Sequence, residues 1–347
     1  MFDNFFGNQA AVETLETMIG SGRIPQTMLL AGPEGIGKAT LARRFAQRLL
    51  GKHPELIEAD DLSLSANVEL IAEREKLPSD KRSDDPLTFN THSDFATFPP
   101  DGPLRQISIQ QMRLLKERAR FGPLHGRRRV FLIDQIDRAN DQAANSLLKV
   151  LEEPPDHMVF ILTASNPYDL LTTIRSRSIP LYMTRLTPDE VAAFLKLRGA
   201  DNPDRRARLA SGCPGAALSL DLAAYDKRRA AMLGLLETAS GKQGMGAWAK
   251  FAEPVAASRS EKLESYLKVL YVLLQDLLLF VEGGDLAGLR NFDAERELSA
   301  IAAAVDFEWI RIATGKVDEL AEFARRNIQK GLALDAFAVS MREAVRS

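Results

Sequence analysis

The chain has 347 residues, 45% hydrophobic and 27% charged, a composition that fits a soluble globular protein long enough for two or three domains. Its 45 Lys and Arg against 47 Asp and Glu leave a formal net charge of -2, which excludes a global positive field for nucleic acid or anionic lipid. A single cysteine, Cys213, excludes an internal disulfide, and the histidines His53, His92, His125 and His157 have no metal-ligand spacing with it.

The first residues, MFDNFFGNQAAV, carry acid and amides where a secretory signal needs a basic start and an unbroken apolar run, so a cytoplasmic protein is expected. TMLLA at 27–31 is the first of four continuous aliphatic runs, followed by RVFLID at 129–134, VFILT at 159–163 and IPLYM at 179–183. Continuous rather than alternating runs predict strands covered on both faces. Helical spacing lies between them, at Leu41, Phe45 and Leu49 and at Ala143, Ala144, Leu147, Leu148 and Leu151. The alternation predicts an α/β domain with a parallel sheet.

Residues 51–105 interrupt that alternation with KLPSDKRSDDPLTFNTHSDFATFPPDGP, rich in Pro, Asp and Ser, and read as an insertion or long loop. From about Thr187 the strand pattern stops and a helical composition continues to Ser347, punctuated at 212–215 and by ASGKQGMGA at 239–247. The expected division is 1–180 for the α/β domain and two helical pieces, 181–226 and 227–347. YLKVLYVLLQDLLLFVE from Tyr266 is broken by Lys268, Gln275 and Asp276 and falls short of the roughly 20 apolar residues that cross a bilayer. It predicts a buried bundle helix.

Between the first strand and the next helix stands Gly32-Pro-Glu-Gly35-Ile-Gly37-Lys38, a complete G-x-x-x-x-G-K. The glycines allow backbone N–H groups to turn inward around phosphate oxygens, the helix N-terminus adds a favourable dipole, and the lysine reaches the terminal phosphates. ATP or ADP is therefore a candidate ligand of Gly32, Gly35, Gly37, Lys38, Ala39 and Thr40. The position after the lysine normally offers a hydroxyl to magnesium, and here it is Ala39. Thr40 is one residue further on, and a helix advances about 100° per residue, which turns it away from the metal position. RVFLIDQID ends an apolar strand in Asp134, suited to a magnesium shell, but Gln135 stands where an ATPase places a water-orienting glutamate. Magnesium is expected only with a bound nucleotide.

GRIPQTMLLAGPEGIGKATLA, RRVFLIDQIDRANDQAANSLLKVLEEPP and FILTASNPYDLLTTIRSRS resemble, in order and spacing, the bacterial clamp-loader AAA+ subunits of DNA polymerase III. The likeness covers roughly residues 1–220, is most specific at 143–155, and is greatest to the delta-prime type. It implies an AAA+ domain, a helical lid and a helical collar. It also implies a pentameric ring with tau/gamma and delta subunits, which places the sliding clamp on primed DNA. Within such a ring the delta-prime type acts as a stator, while tau/gamma subunits hydrolyse ATP. The family usually carries a four-cysteine zinc module after the first AAA+ helix, but residues 51–105 hold no cysteine, so a packed loop without zinc is expected. Ala216, in GCPGAAL, stands where an active subunit offers a sensor arginine. Ser176-Arg177-Ser178 matches the family's Ser-Arg-Cys element except for its last residue, which implies that Arg177 serves as a finger into a neighbour's nucleotide site.

Three functions are consistent with these residues. Ala39, Gln135 and Ala216 together favour a non-hydrolysing subunit that activates a neighbour. A tau/gamma-like ATPase motor would need Thr40 to replace the missing hydroxyl, and a free-standing DNA-binding or repair AAA+ protein sits poorly with the near-neutral charge. Arg127, Arg128 and Arg129, and Arg205, Arg206 and Arg208, read first as solvated ends of elements; Arg43 and Arg44 could face duplex phosphates inside a ring.

Overall fold

The computed structural model describes residues 2, 5–257, 262–324 and 329–344. It divides into two compact units, Met1–Arg198 with Gly212–Ala216, and Gly199–Ser211 with Ala217–Ser347. These units cut across the stretch 181–226 expected as a separate lid.

The first unit is built on five strands: β1 (Thr27–Ala31), β2 (Phe95–Phe98), β3 (Arg129–Ile133), β4 (Met158–Ala164) and β5 (Ile179–Tyr182). All pair in parallel, in the order β2-β3-β4-β1-β5. β1, β2 and β4 are buried along their whole length and β3 at all but its first residue, which is why their sequences run continuously apolar. Phe98, Phe131 and Phe160 stack edge to face across β2, β3 and β4, with centroids 5.4 and 6.1 Å apart. β5 is an edge: only Leu181 is buried, and Pro180, which has no N–H to donate, suits that place.

Helices α1 (Gln9–Ser21) and α2 (Lys38–Leu50) flank β1. The segment 51–105 is not a loop, and here the sequence expectation is corrected. It forms α3 (Pro54–Glu58), α4 (Ser65–Glu75), α5 (Ser79–Asp84) and the fifth strand, β2. Its centre is polar. Arg74 is buried and grips Asp101 through two bonds, Nε to Oδ1 at 3.2 Å and Nη2 to Oδ2 at 2.9 Å, and it also donates to the Asp85 carbonyl at 2.6 Å. Asp101 in turn holds the guanidinium charge firmly and raises its pKa.

Next come α6 (Ile109–Arg118) and α7 (Asp141–Glu152), with α8 (Thr172–Ser176), α9 (Pro188–Leu197), α10 (Pro203–Leu209) and α11 (Pro214–Ser219) following. α6 opens with a capping box in which Ser108 and Gln111 bond each other's backbone N–H. α7 opens on Asn140, whose side chain takes the Ala143 N–H at 2.8 Å, and Pro154-Pro155 prevents its continuation. Ala143, Ala144, Leu147, Val150 and Leu151 form its buried face.

The second unit is helical: α12 (Leu222–Ala239), α13 (Met245–Ala257), α14 (Leu263–Val281), α15 (Glu295–Ala302), α16 (Phe307–Ala324) and α17 (Lys330–Ala344) pack around one apolar cluster. α14 is the bundle helix expected from Tyr266 onward, with Leu267, Leu270, Leu273, Leu274 and Leu277 inside. Its one buried acid, Asp276, accepts the Arg290 and Asn291 backbone N–H groups and the Asn291 side-chain amide at 2.8–3.0 Å. Among the described residues no helix is long and apolar enough to cross a membrane.

Candidate functional site

The glycine-rich loop leaves β1 at Ala31, and the Gly32 N–H bonds the last carbonyl of β4, on Ala164, at 3.1 Å. Gly35 at φ 78° and Gly37 at φ 102° adopt backbone conformations that a side chain disfavours. Space also disfavours a side chain, strongly at Gly35 and more mildly at Gly37. A Cβ on Gly35 would lie 2.8 Å from the Ala216 nitrogen, and one on Gly37 would lie 3.2 Å from the Phe5 ring.

Lys38 opens α2 and is buried. Its ammonium turns back on its own loop and donates to the Gly32 carbonyl at 2.6 Å and the Pro33 carbonyl at 2.9 Å. Burial pushes its pKa down, against the opposing pull of Asp134, Asp137 and Glu34. Ala39 and Thr40 follow on α2, both half-buried.

Residues 212–216 close on the other side of the loop. The Gly215 N–H donates to the Gly35 carbonyl at 2.8 Å, and Ala216 lies directly against Gly35. A long cationic side chain at 216 would begin beside the phosphate loop, and the methyl of alanine carries no charge for a phosphate.

Asp134 sits at the end of β3, almost fully buried. Its carboxylate accepts the Thr163 hydroxyl at 2.6 Å, and the oxygen of that hydroxyl accepts the Gln135 N–H at 2.8 Å. Burial pushes the Asp134 carboxyl up from its ordinary value, with Thr163 and Lys38 pulling it back. Gln135 takes a left-handed backbone at φ 55°, uncommon for a residue with a side chain. Asp137 accepts the Ser165 N–H at 3.0 Å. Thr163 was not singled out from the sequence. The only signal for it was a polar residue inside the apolar run of β4, where it is fully buried.

The sheet order explains this grouping, because β4 lies between β1 and β3 and places Thr163 between the loop and Asp134. The fold thus brings Gly32, Gly35, Gly37, Lys38, Ala39, Thr40, Asp134, Gln135 and Ala216 to the C-terminal ends of the central strands. Arg177 belongs elsewhere. It caps the C-terminus of α8, donates through Nη1 to the Thr173 carbonyl at 3.1 Å, and pairs through Nη2 with Glu152 at 3.1 Å. About a third of the side chain, 35%, remains exposed.

The residues fit a phosphate group and not a hydrolytic magnesium site. Positive-φ glycines, a helix N-terminus and a lysine suit an anion. At the metal position, however, Ala39 has no oxygen, and Gln135 is an amide with no basic carboxylate. Among the described residues no group of three or more His, Cys, Asp or Glu could hold a metal ion. In the segment 51–105, both ring nitrogens of buried His92 are engaged, one with the Lys52 carbonyl at 3.1 Å and the other with the Asp94 N–H at 3.0 Å.

The sheet, the loop after β1 and the acid ending β3 define a P-loop α/β domain of the AAA+ type. The chain belongs to the family described as DNA polymerase III, delta subunit, whose profile matches residues 7–187, more than half of the chain. It is also similar to the DNA polymerase III subunit gamma/tau of Mycobacterium bovis, 28% identical over 195 residues, 56% of this chain and 30% of that one. The subunit gamma of Buchnera aphidicola is 27% identical over 209 residues, 59% and 52% of the two chains. The subunit tau of Escherichia coli is 26% identical over 190 residues, 55% and 26%. The chain therefore spans from about a quarter to about half of the length of these relatives. Among solved structures, a gamma-subunit-related protein of Thermotoga maritima aligns over 96% of this chain and 99% of its own at 17% identity and a TM-score of 0.48. That score adds nothing to the topology already described.

Proposed function

We propose that the chain is the delta-prime, or stator, subunit of a bacterial DNA polymerase III clamp loader. In this reading it works in the cytoplasm, joins tau/gamma and delta subunits in a pentameric ring, and helps place the sliding clamp on primed DNA. It does not hydrolyse ATP, and it supplies Arg177 to the nucleotide of a neighbouring subunit. Family membership supports the complex. The observation that carries the stator assignment is three losses at one cradle: Ala39 withholds the metal hydroxyl, Gln135 the carboxylate and Ala216 the sensor cation.

ATP or ADP, if taken up, would be held by Gly32, Gly35, Gly37 and Lys38, and its phosphate would have to displace the loop carbonyls from the Lys38 ammonium. At Arg177 a guanidinium on a neighbour's transferring phosphoryl group is worth about 10³ to 10⁵ in rate. The test has two parts. The purified chain should show no ATP hydrolysis that Lys38→Ala abolishes. In a loader reconstituted with tau/gamma, delta, clamp and primed DNA, Arg177→Ala should leave assembly intact and cut hydrolysis at the site it serves by about 10³. Lysine-dependent hydrolysis by the chain alone would overturn the stator assignment, and unchanged hydrolysis by the ring would overturn the finger.

One observation favours a second reading. The curated relatives described above are named gamma or tau subunits, which fits an ATPase motor of the same complex. The same hydrolysis measurement on the isolated chain separates the two.

A further inference from the structure

α7 ends on Glu152, followed by Glu153. A carboxylate in the last turn opposes the helix dipole, which favours a cation there, and a second acid beside it adds repulsion. The dipole of α7 therefore does not account for this side chain. Among the described residues it pairs with Arg177, Oε1 to Nη2 at 3.1 Å.

The backbone beside Glu152 is anchored. Pro154 and Pro155 fix the backbone that follows it, and the Gln26 side chain, just before β1, donates to both of their carbonyls at 3.3 Å. On the other side, the Thr173 carbonyl receives Nη1 of the same guanidinium at 3.1 Å, with the Ser176 hydroxyl at 3.5 Å. Arginine has a long side chain with much rotamer freedom, and its planar fork becomes selective only when oriented. Two anchors on separate helices hold this fork while a third of the residue stays open to solvent.

We infer that Glu152 is a positioning residue for the Arg177 finger. It holds the guanidinium in a fixed orientation before a neighbour's phosphates arrive, so that less freedom is lost when they do. The inference rests on the finger reading proposed above. It assigns Glu152 no contact with nucleotide.

The experiment uses the complete reconstituted loader with clamp and primed DNA, measuring steady-state ATP hydrolysis for the wild type, Glu152→Gln, Arg177→Ala and the double variant. Glu152→Gln should lower kcat by about two- to fivefold, the worth of an exposed ion pair expressed as a rate, with KM for ATP unchanged. In the Arg177→Ala background it should change nothing further. An equal loss in both backgrounds would mean that Glu152 acts through the structure around Pro154, and would overturn the inference. A rate increase would mean that the pair restrains the finger, and unchanged kinetics would mean that it does nothing; either also overturns it. If Arg177→Ala itself leaves hydrolysis unchanged, the finger falls, and Glu152 with it. If only Glu152→Gln is silent, the finger stands.

Discussion

Lys38→Met is the most direct probe of the cradle. In a working phosphate loop the lysine serves the nucleotide. Here the ammonium already has work within the chain, with bonds of 2.6 and 2.9 Å to the Gly32 and Pro33 carbonyls. Hydrogen bonds from a charged donor contribute about 1.5–3 kcal/mol each. Burial of the ammonium, which pushes its pKa down, offsets much of that. Methionine keeps the apolar stem and removes both the bonds and the charge, so the expected net loss is about 1–3 kcal/mol. Urea unfolding at neutral pH measures it. The pH dependence gives a second reading. A lysine whose folded pKa lies below its ordinary 10.5 binds fewer protons folded than unfolded between those two values. Wild-type stability should therefore rise with pH across that alkaline window relative to Lys38→Met. A loss under about 0.5 kcal/mol would refute the claim that the amine holds the loop, and a slope of the opposite sign would refute the claim that burial outweighs the bonds and charges around it.

Asp94 is buried and accepts the Leu124 and His125 N–H groups at 2.6 and 2.8 Å. Asp94→Ala should cost about 2–5 kcal/mol in urea unfolding, and Asp94→Asn, which keeps one acceptor, about half of that. Gly35→Ala combines a left-handed backbone with a contact of 2.8 Å to the Ala216 nitrogen, and should lower stability by about 1–3 kcal/mol by the same measurement. Asp60 is fully buried: the Thr91 N–H meets Oδ1, while Oδ2 has no hydrogen-bond partner, and burial pushes its carboxyl up. An acid raised in the folded state contributes stability below its unfolded pKa and loses it as pH rises through the folded one. Asp60→Asn should therefore gain on wild type as melts move from about pH 4 to pH 7, and a difference independent of pH would count against the buried charge.

The loop, Asp134 and four of the five strands were legible because each is local: a spacing of glycines, or a run of aliphatics. β2 was not, and the reason is physical. Phe95–Phe98 is four residues long, carries a threonine that is fully buried, and finds its partner 35 residues further on in β3. The helices around it were hidden for a different reason. α4 buries Ile71 and Arg74, so its inward face is half ionic and leaves a weak apolar period. At the site, the type of each residue could be read from the motif, but its partners could not. Nothing near Lys38 in sequence announces Phe5, Thr163 or Gly215: the sheet order places Thr163 beside Asp134, and Phe5 and Gly215 reach the loop from outside the sheet. The Glu152–Arg177 pair spans 25 positions in the same way.

The grip of Arg74 on Asp101 also bears on the order in which the chain can assemble during synthesis. The two residues are 27 positions apart, a span that closes at modest entropic cost, and neither partner needs an ion or an oxidant to become competent. This subassembly can close as soon as residue 101 leaves the ribosome, while β2 must still wait for its partner β3 to be made. Protease resistance of the α4 region in chains stalled shortly after residue 101 has emerged would show that early closure, and its absence until β4 is complete would rule it out.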